Sequence, residues 1–309
     1  MTVLSRRLRT VTRREGTAFK NVLVASDFSP CSEGALRHGL GIARRYGSHV
    51  YLMNVVYSLG YHLAGPNSLV GAVNLAWRDA QRLETDLLLD GTLDGIRFET
   101  LIETGPPAET IASIAAQRHI DLVVLGTHGR NGVGKLVLGS CAEKVFRTAP
   151  CAVLTVGNHI RRPKVPDEDK TRVLLVTDFT AESERAAAYA TSIAGRTHTL
   201  PFVLHVADEL VGAADGEREL MLKRMRSHVR DWFLSTQNCA PPPAIVEVGS
   251  PSDVILDVAV HVGADLIVMG VHARTPFYEF LTWPVAYKIV CGATCPVLTV
   301  RNFRDAAAD

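Results

Sequence analysis

Short runs of apolar residues recur along the chain, separated by longer stretches in which polar and apolar positions mix. In the first half these runs cover residues 22–25, 50–56, 122–125 and 153–156. Short, largely apolar runs of this length are typical of parallel strands that are buried on both faces. Ser29 followed by Pro30 predicts a helix N-terminus after the first run, with the serine as its cap. The alternation of strands and helices therefore predicts a doubly wound α/β fold with right-handed crossovers.

The same pattern is present twice in the chain. Segment 21–29, NVLVASDFS, returns as segment 172–180, RVLLVTDFT, and this offset of 151 positions pairs Asp27 with Asp178. Two later strands, DLVVLG and CAVLTV, return as DLIVMG and CPVLTV at an offset of 144 positions. The length of 309 residues also fits a duplication, because domains average about 150 residues.

We expect two tandem domains of this α/β fold, covering residues 20–156 and 171–302. Between them, residues 157–170 form a proline-containing linker, and residues 1–19 form a basic leader. The leader permits two interpretations, an arm that binds nucleic acid or a membrane, and a solvated tail. It has no aromatic residues between its arginines and no long apolar run, which favours the tail. We therefore expect neither nucleic acid nor a membrane as a partner.

Composition changes this picture little. Apolar residues make up 47% of the chain and charged residues 21%, with a formal net charge of +1, which is ordinary for a globular protein. The six cysteines form no C-x-x-C pair and no zinc-ligand spacing with histidine, which favours reduced thiols in the cytoplasm and no metal site. Residues 46–77 contain no Asp, Glu, Lys or Arg, yet glycines and asparagines interrupt them. We interpret this stretch as a buried strand followed by a loop.

A glycine-rich loop follows the strand that ends at Leu125. It begins with Gly126, His128 and Gly129 and ends, after nine further residues, with Gly139 and Ser140. Glycines beyond the carboxyl end of a parallel strand let a ligand approach the backbone, and a helix that begins near Ser140 points its N–H groups at an anion. Ligands of open α/β sheets bind at this edge, where Asp27 follows the first strand. The loop therefore predicts a phosphate-binding site.

A second motif overlaps the loop. The spacing Gly129-x4-Gly134-Lys135 resembles a Walker A sequence, but Leu136 occupies the position at which Ser or Thr would bind magnesium. A Walker B aspartate is also absent from a suitable later strand. These two differences disfavour a magnesium-driven NTPase of the P-loop class.

The spacing Gly-x2-Gly-x9-Gly-Ser, the strand-end Asp27 and the final strand CAVLTV together resemble the ATP-binding subgroup of the universal stress protein family. Residues 20–156 and 171–300 share the likeness, as in a tandem member of that family. The resemblance implies a five-stranded parallel sheet in the order 3-2-1-4-5 in each domain, and ATP as ligand, with or without Mg²⁺. It also implies a homo-oligomer, a dimer that pairs through the last strands. In a tandem chain two arrangements are open, pairing between the two copies and cross-pairing between two chains.

The resemblance further implies which residues bind the nucleotide. The adenosine pocket would be lined by Ala25, Ser26, Asp27 and Val55. The ribose and inner phosphates would be bordered by Leu125, Gly126, His128 and Gly129, and the outer phosphates by Gly139, Ser140, Cys141 and Ala142. Alternative roles are a helix cap for Asp27, a core position for Val55 and a backbone contact for His128. The motif assigns no catalytic residue and no metal ligand.

The second copy differs at this loop. The offset of 144 aligns Gly129 with Ala273, Gly139 with Trp283 and Ser140 with Pro284. A tryptophan side chain occupies space that the backbone loop leaves open, and a proline removes an N–H from the helix start. We therefore expect ATP in the first copy only, and a structural or regulatory role for the second.

Three functions are compatible with these observations. The first is a cytoplasmic ATP-binding stress-response or signalling protein, with at most slow ATP hydrolysis because no nucleophile–base pair adjoins the loop. The second is an enzyme that uses ATP for adenylyl transfer or slow hydrolysis. The third is an interaction module whose loop is vestigial.

Overall fold

The structure, a computed structural model, describes residues 19–57, 66–127, 138–157, 160, 171–196, 199–237, 239, 242–271 and 282–301. The first copy contains β1 (Asn21–Ala25), α1 (Pro30–Tyr46), β2 (His49–Val56), α2 (Pro66–Leu89), β3 (Arg97–Thr104), α3 (Pro107–Gln117), β4 (Leu122–Gly126), α4 (Ser140–Thr148) and β5 (Ala152–Val156). The second contains β6 (Val173–Val176), α5 (Ala181–Gly195), β7 (Phe202–Val206), a 3-10 turn (Asp208–Leu210), α6 (Asp215–Gln237), β8 (Ala244–Glu247), α7 (Pro251–His261), β9 (Leu266–Gly270), α8 (Thr282–Gly292) and β10 (Val297–Val300).

The first helix begins where the sequence predicts, and its counterpart in the second copy begins at the matching position. The Ser29 side chain accepts a hydrogen bond from the Ser32 amide, and Pro30 is the first residue of α1. Thr180 caps α5 in the same way, through the Ser183 amide. Each cap satisfies one of the four N–H groups that a helix start leaves without an intrahelical partner.

The sheet confirms the predicted topology in both copies. Its ten strands lie in the order β3-β2-β1-β4-β5-β10-β9-β6-β7-β8, so that each copy has the order 3-2-1-4-5 with parallel pairs. One apolar cluster lies under α1, α2, α5 and α6, and a second lies under α3, α4, α7 and α8 on the opposite face. Both clusters include side chains from the two copies, so the core on each face of the sheet continues from one copy into the other.

The two copies join through their last strands within one chain. β5 and β10 are antiparallel, with Leu154 opposite Leu298. Two buried threonines add bonds across the pair, because Thr155 Oγ1 donates to Val297 O and Thr299 Oγ1 donates to Val153 O, each at 3.2 Å. The structure therefore has the intramolecular arrangement, one of the two that the sequence leaves open. A dimer stays a prediction, and pairing through the last strands would require two chains to exchange domains.

One predicted loop is wrong in part. The charge-free stretch 46–77 begins with β2, as expected, but the residues after it do not remain a loop, because α2 starts at Pro66. This helix is long enough that its C-terminal half, which carries Ala80 and Leu87 into the core, stabilises the weakly helical N-terminal half.

Candidate functional site

The predicted site lies where β1 and β4 end side by side. Ala25 pairs with Leu125 in the parallel register of these two strands. The helix that follows β1 packs on one face of the sheet, and the helix that follows β4 packs on the other. Connections that diverge in this way leave a crevice at the carboxyl ends of the strands, which is where ligands of open α/β sheets bind.

The turn after β1 is stabilised by its own side chains. The Ser26 hydroxyl donates to Ser32 Oγ at 3.0 Å and accepts from the Phe28 amide at 3.0 Å. Phe28 has φ 59°, in the left-handed region, so that this amide contact holds a backbone conformation that a bulky residue rarely adopts. The Ser26 side chain thus shapes the turn, and its 7% exposure gives a ligand little access to it.

Asp27 is half-buried at the crevice and does not cap the helix. Its Oδ1 accepts a hydrogen bond from the Ser29 amide at 3.0 Å, whereas Ser29 is the residue that caps α1. The alternative role of Asp27 as the cap is therefore wrong. The carboxylate lies close enough to α4 to act on the Cys141 thiol electrostatically.

Asn54, which was not among the predicted site residues, holds the backbone beside Asp27. Its Nδ2 donates to Ser26 O at 2.7 Å, and the Ser26 amide donates to Met53 O at 2.8 Å. The second copy has His205 in this place, with its Nδ1 2.9 Å from Thr177 O. A polar residue inside an otherwise apolar strand was the available signal in both copies.

Three of the predicted residues form a half-buried apolar floor on one side of the sheet. Ala25 and Val55 come from the ends of β1 and β2, and Cys141 comes from the first turn of α4. Burial, with smaller contributions from the carboxylates of Asp27 and Glu109, raises the pKa of the Cys141 thiol to about 11. Cys141 is therefore a protonated, apolar surface at neutral pH and not a thiolate nucleophile.

The start of α4 is fixed to the end of β4. The Gly139 amide donates to Thr127 O at 2.8 Å, and the Thr127 amide donates to Val156 O at 2.9 Å. No described side chain forms a capping hydrogen bond at this helix, in contrast to the caps of α1 and α5. The first-turn amides of Ser140, Cys141 and Ala142 thus form a helix end that suits an anion.

Gly126 has a structural reason to be glycine that is independent of a ligand. A Cβ there would lie 2.6 Å from Cys31 Sγ and 3.2 Å from the Cys31 carbonyl carbon, too close for α1 to keep its place. Gly270 has the same relation to α5, at 2.5 Å from the Glu182 carbonyl carbon. A glycine at this position is therefore a requirement of the fold in both copies and does not by itself indicate binding.

Two predicted ligand residues, His128 and Gly129, lie outside the described residues, together with the overlapping Walker-like segment. Of the second copy's substitutions, Ala273 lies outside them as well, and only the backbone of Trp283 is described. The candidate site is therefore built from the ends of β1, β2 and β4 and from the first turn of α4.

The aspartate of the second copy is bound into its own turn. Asp178 Oδ1 accepts hydrogen bonds from Thr180 Oγ1 at 2.5 Å and from Ser183 Oγ at 2.6 Å. In the first copy the counterpart of Ser183 is Ser32, whose hydroxyl donates instead to Ser29 O at 2.9 Å. The two matched aspartates thus have different hydrogen-bonding environments.

The helix after β9 also differs from α4. α8 begins at Thr282, so that exposed Pro284 occupies its first turn. Ser140, the residue aligned with Pro284, opens α4 with an N–H that proline lacks.

The described residues contain no group of three or more His, Cys, Asp or Glu side chains that could bind a metal ion. Among the helices described, none is both long and apolar enough to cross a membrane.

Comparison with known proteins settles the family. The family model of the universal stress proteins matches residues 18–157 and again residues 170–301. The chain belongs to the universal stress protein family. It contains the family's domain twice, which confirms the tandem organisation implied by the repeat.

Relatives of this universal stress protein include single-domain and full-length matches. A universal stress protein of Methanocaldococcus jannaschii is 29% identical over 160 residues, which are 51% of this chain and 91% of that protein. A solved universal stress protein of Archaeoglobus fulgidus matches 91% of this chain and 98% of its own, with TM-score 0.67 and 20% identity. A functionally unknown Pseudomonas aeruginosa protein matches 94% and 95%, with TM-score 0.64 and 19% identity. At these identities the structural matches show the shared fold.

Proposed function

We propose that the first copy binds ATP, with or without Mg²⁺, in the crevice between β1 and β4. Ala25 and Val55 form the floor on which the adenine packs, and the Asp27 carboxylate accepts hydrogen bonds from the ribose or the adenine. The amides of Ser140, Cys141 and Ala142 receive the outer phosphates. His128 and Gly129 complete the site between the ribose and the inner phosphates.

The observation that carries this proposal is the start of α4. It combines an N-terminus without a described side-chain cap, a position at the crevice of the sheet and the nearby Asp27. Backbone N–H groups and the positive end of the helix dipole attract phosphate. The capped α1 and α5, which lie in the same protein, lack this combination.

Nucleotide occupancy of the first copy then biases a conformation or an assembly that partners recognise in a cytoplasmic stress response. Asp178 is bound within its own turn and Pro284 lacks an N–H at the helix start, and both features disfavour ATP binding in the second copy. The role of the second copy is therefore to support or regulate the site in the first. Any hydrolysis of ATP is slow, since the sequence places no nucleophile–base pair beside the glycine-rich loop.

The test compares the two matched aspartates by titrating ATP into full-length variants. Asp27→Asn should weaken ATP binding about ten- to hundredfold, the range for losing a hydrogen bond to a charged group. Asp178→Asn is the matched control and should leave ATP affinity unchanged, although loss of the carboxylate charge weakens two short hydrogen bonds in the turn before α5.

Equal losses of ATP affinity in both variants, or a loss in Asp178→Asn alone, would contradict the proposal. A steady-state assay of the wild-type protein adds a second criterion. Turnover above about 1 per second, within the usual enzyme range, would replace the binding function with an enzymatic one. Release of pyrophosphate with an acceptor would identify adenylyl transfer.

A further inference from the structure

A tyrosine of the second copy reaches the start of the site in the first. Tyr287 lies on α8, and its hydroxyl oxygen accepts a hydrogen bond from the Leu138 amide at 3.1 Å. These two residues are 149 positions apart in the sequence. Leu138 directly precedes Gly139, the N-cap residue of α4. The second copy therefore contacts the backbone that carries the proposed phosphate-binding turn.

The two amides before α4 are held by different parts of the protein. Gly139 donates to Thr127 O of the first copy, whereas Leu138 donates to Tyr287 of the second. The Leu138 side chain is 3% exposed and belongs to the same apolar cluster as Ile289 and Val290 of α8. The Leu138 backbone thus contacts α8, while its side chain is buried in the apolar cluster to which α8 contributes.

Cys291, one turn further along α8, lies at the same contact. Burial raises the pKa of its thiol, while hydrogen bonds with the Tyr287 side chain and the Leu138 backbone act in the opposite direction. The thiol therefore adjoins both partners of the contact. Sulfur is a weak acceptor, so Cys291 replaces the tyrosine hydroxyl poorly if that hydroxyl is removed.

The contact joins a tyrosine of the second copy to the first copy, and the residue aligned with that tyrosine in the first copy is not a tyrosine. At the offset of 144 positions the counterpart of Tyr287 is Glu143 on α4. Glu143 forms an ion pair with Arg147 of its own helix, with 3.6 Å between Oε1 and the guanidinium nitrogen. The two copies thus differ at this position. The tyrosine belongs to the second copy, in which Trp283 and Pro284 replace the glycine and serine of the loop.

We propose that Tyr287 is a positioning residue through which the second copy sets the phosphate affinity of the first. This inference rests on the proposed ATP site and assigns its regulation. By holding the Leu138 amide, the hydroxyl fixes the direction in which the amides of Ser140, Cys141 and Ala142 point. Preorganised donors bind an anion more tightly than donors that must first be ordered. A change in α8 is then transmitted to ATP affinity, and ATP binding in turn orders α8.

The experiment measures ATP and adenosine affinities of full-length Tyr287→Phe and wild-type protein by titration calorimetry. We expect ATP to bind about three- to tenfold more weakly to the variant, as for the loss of one neutral hydrogen bond. Adenosine affinity should be the same in both proteins, because adenosine makes no contact with the α4 amides. The ratio of the two affinities distinguishes positioning of the phosphate site from a general loss of structure.

Tyr46→Phe is the matched control. Tyr46 on α1 also makes a hydroxyl contact between the copies, 3.2 Å from Ser192 Oγ, but on the opposite face of the sheet. This variant should lose stability without a change in either affinity. An unchanged ATP-to-adenosine ratio in Tyr287→Phe, with ATP bound normally by the wild type, would overturn the inference alone. Failure of the wild type to bind ATP would overturn the proposed function and this inference with it.

Hydrogen exchange on the wild-type protein provides a second measurement that does not depend on a variant folding. ATP should slow exchange in residues 285–291 of α8 as well as at the start of α4, because coupling between two sites is reciprocal. ATP-dependent protection confined to the first copy would contradict the proposal.

Discussion

The aspartate that follows the first strand of each copy has similar neighbours in the sequence but different hydrogen bonds. Asp178 accepts from two hydroxyl groups of its own turn, whereas the Ser32 hydroxyl of the first copy donates to a backbone carbonyl. Ser32 and Ser183 are matched serines three residues after the aspartate's neighbouring cap, yet their hydroxyl groups donate to different acceptors. A sequence motif does not specify rotamers, so this difference appeared only in the structure.

His38 on α1 provides a prediction about pH at the scale of a single residue. Its Nε2 is buried without a hydrogen-bond partner among the described residues, and burial lowers the pKa of the imidazole from 6.5 to about 4. In the unfolded chain the imidazole is therefore protonated as pH falls below 6.5, whereas in the folded protein it is protonated only as pH falls below about 4. This contribution to stability is complete above pH 6.5 and is lost as pH falls through that window, by about 3 kcal/mol in total.

The measurement is the free energy of unfolding in urea between pH 7.5 and pH 4, for the wild type and His38→Gln. The variant should lose less stability over this range than the wild type does. His261→Gln, at the exposed end of α7, is the control and should follow the wild-type profile. Parallel curves for His38→Gln and wild type would show that the buried imidazole does not cause the pH dependence.

At the scale of elements, two glycines in α1 separate packing from helix propensity. Gly39 faces the sheet, where a Cβ would lie 2.7 Å from Val24 Cγ2, in a side chain with no exposed surface. Gly41 is exposed, with no atom within 4 Å of a Cβ. Gly39→Ala should therefore destabilise the protein by about 1–3 kcal/mol through overpacking. Gly41→Ala should stabilise it by about 0.5–1 kcal/mol, because alanine is the better helix former.

Thermal or urea unfolding of the two variants measures both effects in one helix. The opposite signs are the essential result, since the chemical change is the same. Stabilisation by Gly39→Ala would mean that α1 lies further from β1 than the structure has it.

The elements that were predictable from the sequence are those with one clear pattern. Buried runs gave the strands, and Ser29-Pro30 gave the start of α1, because these signals are local. The helix from Pro66 was missed, since its N-terminal half lacks charges and contains glycine and asparagine, and its stability depends on packing further along. In the site, the motif placed Asp27 and α4, whereas Asn54 and Tyr287 act through contacts that no motif contains.

At the scale of the whole molecule, the duplication produces one sheet and two unequal sites. Pairing of β5 with β10 could equally occur within a chain or between chains, because both arrangements form the same ladder, and the sequence alone left this open. Phe19 stacks on Tyr189 at 5.4 Å and Arg196 lies over the Tyr46 ring at 4.4 Å, which adds contacts between the copies beside the ladder. Both of these contacts lie on the face covered by α1 and α5, whereas the hydrogen bond between Leu138 and Tyr287 lies on the opposite face, so the copies are joined on both faces of the sheet.

We propose that this continuous molecule has one ATP site, in the first copy. Titration calorimetry of ATP into the wild-type chain tests it most directly, because the stoichiometry is read from the same curve as the affinity. We predict one ATP bound per chain, and none in Gly139→Trp, which copies the residue of the second half. Two equivalent sites per chain, or unchanged binding by Gly139→Trp, would contradict a single ATP site in the first copy.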